Sequence, residues 1–143
     1  MVQYKILLVD DDPDIREYVR MALKNYDTIR ILEAVDGNKA VVLAKHIKPD
    51  LILLDNKMPS LSGESVAKNL KNDPLTRDIP VVMITAMRLS RKEIELIKLD
   101  VDDYIEKPIS TWQLENIVKK YIPALKGSMD TVDIDDDYFD DGE

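Results

Sequence analysis

Residues 49–63 read Pro49-Asp50-Leu51-Ile52-Leu53-Leu54-Asp55-Asn56-Lys57-Met58-Pro59-Ser60-Leu61-Ser62-Gly63. Four consecutive apolar residues, Leu51 to Leu54, stop at a single acid. A short run that is apolar at every position and bracketed by prolines fits a strand buried on both faces of a parallel sheet, where alternation is lost. Asp55 then stands at the carboxyl end of that strand. In open α/β sheets this edge is where ligands bind.

The same pattern repeats on either side. Tyr4 to Val9 is a β-rich apolar run that stops at Asp10-Asp11-Asp12-Pro13. Pro13 suits the first turn of a helix capped by Asp12 and running to about Asn25, with Ile15, Val19, Ala22, Leu23 and Tyr26 as its apolar stripe. Thr28 to Ala34 reads as a strand, Asp36-Gly37 as a turn, Asn38 to Ile47 as a helix, and Asp50 to Leu54 as the central strand. Ser62 to Asn72 is the next helix, broken by Asp73-Pro74. Ile79 to Ile84 is a buried strand ending at Thr85-Ala86, and Ser90 to Leu99 a helix. Val101 to Glu106 is a shorter strand ending at Lys107-Pro108. Ser110 to Ile122 is the last helix, opened by a capping box of Ser110 with Gln113. Five strands alternating with five helices imply an α/β fold, a five-stranded parallel sheet with helices on both faces.

With 143 residues and 45% hydrophobic content, one domain with one proper core is expected. There is no cysteine, which excludes disulfides, thiolate metal sites and cysteine nucleophiles. Met1 to Lys5 lack a signal peptide's charged start, and no apolar run approaches the roughly 18 residues of a membrane span. A cytoplasmic protein is expected. Of the 28 acids, seven Asp and one Glu lie in residues 127–143, so residues 1–126 balance 20 acids with 20 bases. That domain offers no basic stripe for a phosphate backbone, and direct nucleic-acid binding is not expected. The expected division is a domain over residues 1–124 and an acidic, disordered tail or appended segment over 125–143, in which Tyr138-Phe139 could form a docking motif.

Four strand ends carry complementary groups: Asp10-Asp11, Asp55, Thr85 and Lys107. In one parallel sheet these share an edge. Carboxylates held together repel, and a hard divalent cation such as Mg²⁺ resolves the repulsion while keeping several waters. With Lys107 to neutralise a phosphoryl oxygen and the Thr85 hydroxyl to donate to another, the set suits phosphoryl transfer to a carboxylate. Asp55, alone at its strand end, is the expected acceptor, and paired Asp10 and Asp11 the expected metal platform. Asp12 reads as a helix cap.

Val-Asp-Asp-Asp-Pro, Leu-Asp-Asn-Lys-Met-Pro-Ser-Leu-Ser-Gly, Ile-Thr-Ala and Asp-Asp-Tyr-Ile-Glu-Lys-Pro, in this order, resemble the receiver domain of two-component response regulators over about residues 3 to 122. The resemblance implies the flavodoxin-like (βα)5 fold and Mg²⁺ bound by Asp10, Asp11, Asp55 and the Lys57 backbone carbonyl. It implies that Asp55 takes phosphate from a sensor histidine kinase or histidine phosphotransfer protein, that Thr85 and Lys107 hold the phosphoryl group, and that Thr85 and Tyr104 form the switch. The Lys107-Pro108 bond is usually cis in that family. A downstream protein target met through the last-helix face, and a monomer or weak dimer, complete the expectation. No output domain follows residue 122, which suits a single-domain, chemotaxis-type regulator or a receiver cut from a larger protein. Two departures fall on the signalling face: Asp100-Val101 where Gly-Ala is common, and Ile109 where Phe is common.

The alternatives are a haloacid-dehalogenase-like phosphohydrolase with Asp10 as nucleophile, a phosphorylation-independent adaptor and, more remotely, a flavin-binding protein. Against the phosphohydrolase, Asp12 precedes Pro13 where that family has Thr or Val, and no cap domain is visible. His46 reads as a surface or packing residue and Met58, Met83 and Met87 as fillers. Trp112, off the apolar stripe, fits a partner contact as well as partial burial. Lys57 and Met87 flank the expected path of attacking water.

Overall fold

A computed structural model of the chain describes residues 2–58, 61–86 and 88–125. Strands and helices alternate as β1 (Tyr4–Val9), α1 (Pro13–Ala22), β2 (Ile29–Ala34), α2 (Gly37–Ile47), β3 (Leu51–Asp55), α3 (Gly63–Asn72), β4 (Val81–Thr85), α4 (Arg91–Lys98), β5 (Asp103–Glu106) and α5 (Thr111–Tyr121). All strands are parallel, in the order β2-β1-β3-β4-β5.

Strand β3 lies in the middle, and all five of its residues are buried. Alternate strand residues feed two cores. Ile6, Leu8, Leu51 and Leu53 pack with Val19 of α1 and Leu114 and Val118 of α5. Leu7, Val9, Ile52 and Leu54 pack with Ala40 and Ala44 of α2, Val66 and Leu70 of α3 and Ile97 of α4. Burying one such side chain contributes roughly 1.5–3 kcal/mol. The four from Leu51 to Leu54 therefore rival a domain's whole net stability of roughly 5–15 kcal/mol.

The chain runs outward from β1 to β2, then returns to β3 and continues to β5, so the order reverses between β1 and β3. A crevice forms at the carboxyl edge of such a reversal. Val9 pairs with Leu54 across it, so Asp10 and Asp55 emerge side by side.

Several element ends differ from the expectation for identifiable reasons. Helix α1 stops at Ala22, capped at Leu23, although the apolar stripe continues. Tyr26 is buried from the following turn, where its hydroxyl donates to Glu115 Oε2 at 2.8 Å. Strand β4 begins at Val81 because Pro80 has no N–H, and the Val81 N–H is taken by the Asp102 carboxylate at 2.8 Å. Asp55 is the last residue of β3 itself, paired with Ile84. Leu125, assigned to the tail, is 1% exposed and packs in the α1/α5 core. Ser110 and Gln113 make the expected capping box, and Ser90 and Glu93 make a second that was not anticipated. Of the two departures from the family pattern, Val101 and Ile109 are both buried and Asp100 pairs with Lys68 at 3.3 Å. Met87 and the acidic segment 126–143, with Tyr138 and Phe139, lie outside the described residues.

Gly63 closes the β3–α3 loop tightly, with its N–H donating to the Asn56 carbonyl at 3.0 Å. A Cβ there would lie 2.3 Å from the Asp55 carbonyl oxygen and 2.9 Å from the Asn56 Cα, both rigid backbone. Gly63→Ala is expected to cost about 1–3 kcal/mol through overpacking. The check is the urea midpoint at unchanged slope, and an unshifted midpoint would show that the loop can yield.

Candidate functional site

At the end of β1 every polar handle of Asp10 but one is held. Its N–H donates to the Ala34 carbonyl at 3.1 Å, its Oδ1 accepts the Asp12 N–H at 2.9 Å, and its carbonyl accepts Arg16 Nη1 at 2.9 Å. The remaining atom, Oδ2, is buried without a hydrogen bond. Lys107 Nζ lies 3.5 Å from it. Asp11 is exposed. Asp12 points away and caps α1, its Oδ1 accepting the Asp14 N–H at 2.9 Å.

Asp55 is 5% exposed, and its Oδ1 lies 3.3 Å from Lys107 Nζ. Thr85, at the end of β4, is fully buried, and its carbonyl accepts the Lys107 N–H at 2.7 Å. The β5–α5 loop is thereby tied to β4, and the Lys107-Pro108 bond within it is cis, as the resemblance implied. The expected residues thus meet at one edge.

The carboxylate oxygens of Asp10, Asp11 and Asp55 lie within 4.8 Å of one another. Two full charges at that separation repel by roughly 3–4 kcal/mol even at an effective dielectric of about 20. Burial pushes the Asp10 carboxyl above its ordinary range; the Asp12 N–H opposes this, Asp55 adds to it, and Lys107 opposes it. Burial likewise raises Asp55, against the pull of Lys107 and the Lys57 N–H. For Lys107 burial acts downward, yet the charges of Asp10 and Asp55 outweigh it and the ammonium is held above its usual value.

Three hard oxygen donors, one of them a buried oxygen with no hydrogen bond, fit a divalent cation such as Mg²⁺ better than a softer metal. Two features were not anticipated. One is Arg16, joining the Asp10 carbonyl to Glu33; the other is the close approach of Gly63 to the Asp55 carbonyl. Position alone hints at Arg16, one turn after the N-cap.

Farther off, Tyr104 on β5 is half-buried beside the α2/α3/α4 core, with Lys98 Nζ 6.0 Å from its ring centroid. Trp112 is 66% exposed at the start of α5. Helix α5 is tied to β5 by Lys120 and Tyr121, 3.0 and 3.1 Å from Asp103 Oδ2. His46 is exposed, with Nδ1 2.9 Å from the Val42 carbonyl, a local contact on α2. Among the described residues no helix is long and apolar enough to cross a membrane.

A five-stranded sheet in this order, with an acid cluster where the order reverses, defines a doubly wound flavodoxin-like domain. A family model described as the response regulator receiver domain matches residues 6–119. The phosphate regulon transcriptional regulatory protein PhoB of Pseudomonas aeruginosa is 42% identical over 116 residues, 80% of this chain and 49% of that protein. The N-terminal domain of a response regulator receiver protein from Methanoculleus marisnigri is 35% identical with a TM-score of 0.68, over 82% of this chain and 94% of that one. A sensor histidine kinase receiver domain from Pseudomonas aeruginosa, with a magnesium ion in its active-site cleft, is 27% identical with a TM-score of 0.77, over 85% of this chain and 99% of that one. The chain belongs to the response regulator receiver domain family, whose members are phosphorylation-controlled signalling switches of two-component systems and bind Mg²⁺ in their active sites. It spans about half the length of the curated relatives it matches.

Because Asp10 and Asp55 hold protons more tightly folded than unfolded, each subtracts stability as pH rises through the window above the ordinary 3.8. That penalty is absent below the unfolded value and complete above the folded one. In chelator at pH 7, Asp55→Asn is expected to melt above wild type, the gap closing toward pH 4. Added Mg²⁺ should raise the melting temperature of wild type more than that of the variant. Circular dichroism melts check both, and a variant less stable in chelator would reverse the assigned sign.

Proposed function

We propose that Asp55 is the phosphoacceptor of a signalling switch, charged by a sensor histidine kinase or a histidine phosphotransfer protein. The observation that carries this reading is the shared grip of Lys107 on Asp55 and on the buried Oδ2 of Asp10. An Asp55 oxygen attacks the phosphorus of a phosphohistidine, the new P–O bond forms as the P–N bond breaks, and that electron pair returns to the imidazole nitrogen. Lys107 moves its ammonium charge from the carboxylates to a phosphoryl oxygen, and the Thr85 hydroxyl donates to another. Asp10, Asp11, Asp55 and the Lys57 carbonyl would hold Mg²⁺, which when bound would supply positive charge against the carboxylates and the phosphoryl group. Water later attacks the acyl phosphate and restores Asp55, so the domain acts only on itself.

Drawing Thr85 toward the dianion opens space for Tyr104 to rotate, and the face around α5 shifts between two packings to meet a downstream protein. The receiver extends from the expected residues 1–124 to include Leu125, which packs in its core, works in the cytoplasm, and is a monomer or weak dimer. Relatives named as transcriptional regulators, each about twice the matched length, favour an output reached through another domain over the chemotaxis-type arrangement. Contact of this domain itself with DNA is not part of the reading, given its balanced charge.

Incubation with radiolabelled acetyl phosphate and Mg²⁺ is expected to label wild type and leave Asp55→Asn unlabelled. Lys107→Ala should slow labelling on the order of 10²–10³-fold. Label that persists in Asp55→Asn but vanishes in Asp10→Asn would instead identify a phosphohydrolase-type nucleophile.

A further inference from the structure

Arg16 lies on α1, its side chain 17% exposed, and bonds in two directions at once. Nη1 donates to the Asp10 carbonyl and Nε to Glu33 Oε1, each at 2.9 Å. Glu33 sits on β2, paired in register with Leu8, and its other oxygen is held by Arg20. The brace therefore spans from the edge strand, across α1, to the carboxyl end of β1.

The Asp10 carbonyl is half of the Asp10-Asp11 peptide, which is planar, so holding its oxygen fixes the plane from which the Asp11 Cα departs. Asp10 has further restraints on its own carboxylate, through Asp12 and burial. Asp11 is exposed, and among the described residues no hydrogen bond or ion pair holds its carboxylate. What the backbone fixes is where the Asp11 side chain starts, and Arg16 holds the carbonyl of the peptide that carries it.

We propose that Arg16 is a positioning residue: braced on Glu33, it holds the Asp10-Asp11 peptide so that Asp11 presents its carboxylate to a divalent cation. The inference rests on the reading of the acid cluster as a Mg²⁺ site. A planar guanidinium fork suits the task because it makes two bonds in fixed directions, which a lysine ammonium on a flexible stem does not. Glu33 also neutralises a positive charge that would otherwise oppose the cation.

The test separates geometry from charge. Calorimetric titration of the full chain with Mg²⁺ compares wild type, Asp11→Asn, Arg16→Ala and Arg16→Lys, alongside melting curves in chelator. Positioning predicts that both Arg16 variants bind Mg²⁺ about 10-fold or more weakly, the range for outer partners of metal ligands. Through-space charge alone predicts the opposite for Arg16→Ala, tighter binding, since a positive charge has been removed. A purely structural role predicts a lower melting temperature with unchanged affinity of the folded protein. Tighter or unchanged binding overturns the proposal. Should Arg16→Ala fail to fold, Arg16→Lys carries the test, because with the charge kept positioning predicts weaker binding whereas charge alone predicts unchanged binding. Wild type that binds no Mg²⁺ would overturn the metal-site reading and the brace together, whereas wild-type binding lost in Asp11→Asn but kept in Arg16→Ala would overturn the brace alone.

Discussion

Three carboxylates, one oxygen of each within 4.8 Å of the others, set against the Lys107 ammonium are the constraint on which the rest of this structure turns. Taken fully ionised, the cluster carries a surplus of two negative charges, the charge a divalent cation offsets. No folded protein assembles such a cluster for its own stability, because both desolvation and mutual repulsion act against it. The cost is met by the central strand, whose four buried apolar side chains force Asp55 to the same edge as Asp10 whatever the acids prefer. Site and core are thus one construction, the core supplying the stability that the site consumes.

Most parts of this site that could be read from sequence share one property. Asp10, Asp11, Asp55 and Thr85 follow or end apolar runs, so the hydrophobic pattern that locates the strands also locates them, whereas Lys107 follows the mixed Asp103–Glu106 strand and is marked by Pro108 and the family motif. The parallel topology then gathers the strand ends, with no need to know distances. The fold was legible for the same reason, since a run such as Leu51 to Leu54 has few other homes.

Arg16 illustrates what was not legible. On the charged face of an amphipathic helix it looks like any solvated arginine, and its partner Glu33 is 17 residues away on another strand. Only the packing of α1 over β1 and β2 shows that the two meet. Tyr26 marks a second limit: it is buried, yet it lies beyond the end of α1, because periodicity registers burial without saying which backbone delivers it, while Leu125 is buried from a short 3-10 turn after α5 that no apolar stripe announces. The Ser90 and Glu93 capping box, by contrast, is carried by a plain Ser-x-x-Glu signature in the sequence.

How a change at the acid cluster could reach a partner follows from the register. Met83 and Thr85 are two apart on β4 and so face the same side of the sheet, and Met83 pairs with Tyr104 on β5. Thr85, Met83 and Tyr104 therefore share the face covered by α2, α3 and α4, on which Met83 and Tyr104 pack. In the proposed reading, displacement of the Thr85 side chain is felt along this face before it is felt on the other. Helix α5 packs on the opposite face, so it must receive the change through β5 itself. In that reading the Asp103, Lys120 and Tyr121 contacts offer the route, since they join the strand that carries Tyr104 to the end of the helix that carries Trp112. The exposed indole of Trp112, at the far end of that helix, is then placed where a movement of α5 as a body would present or withdraw it.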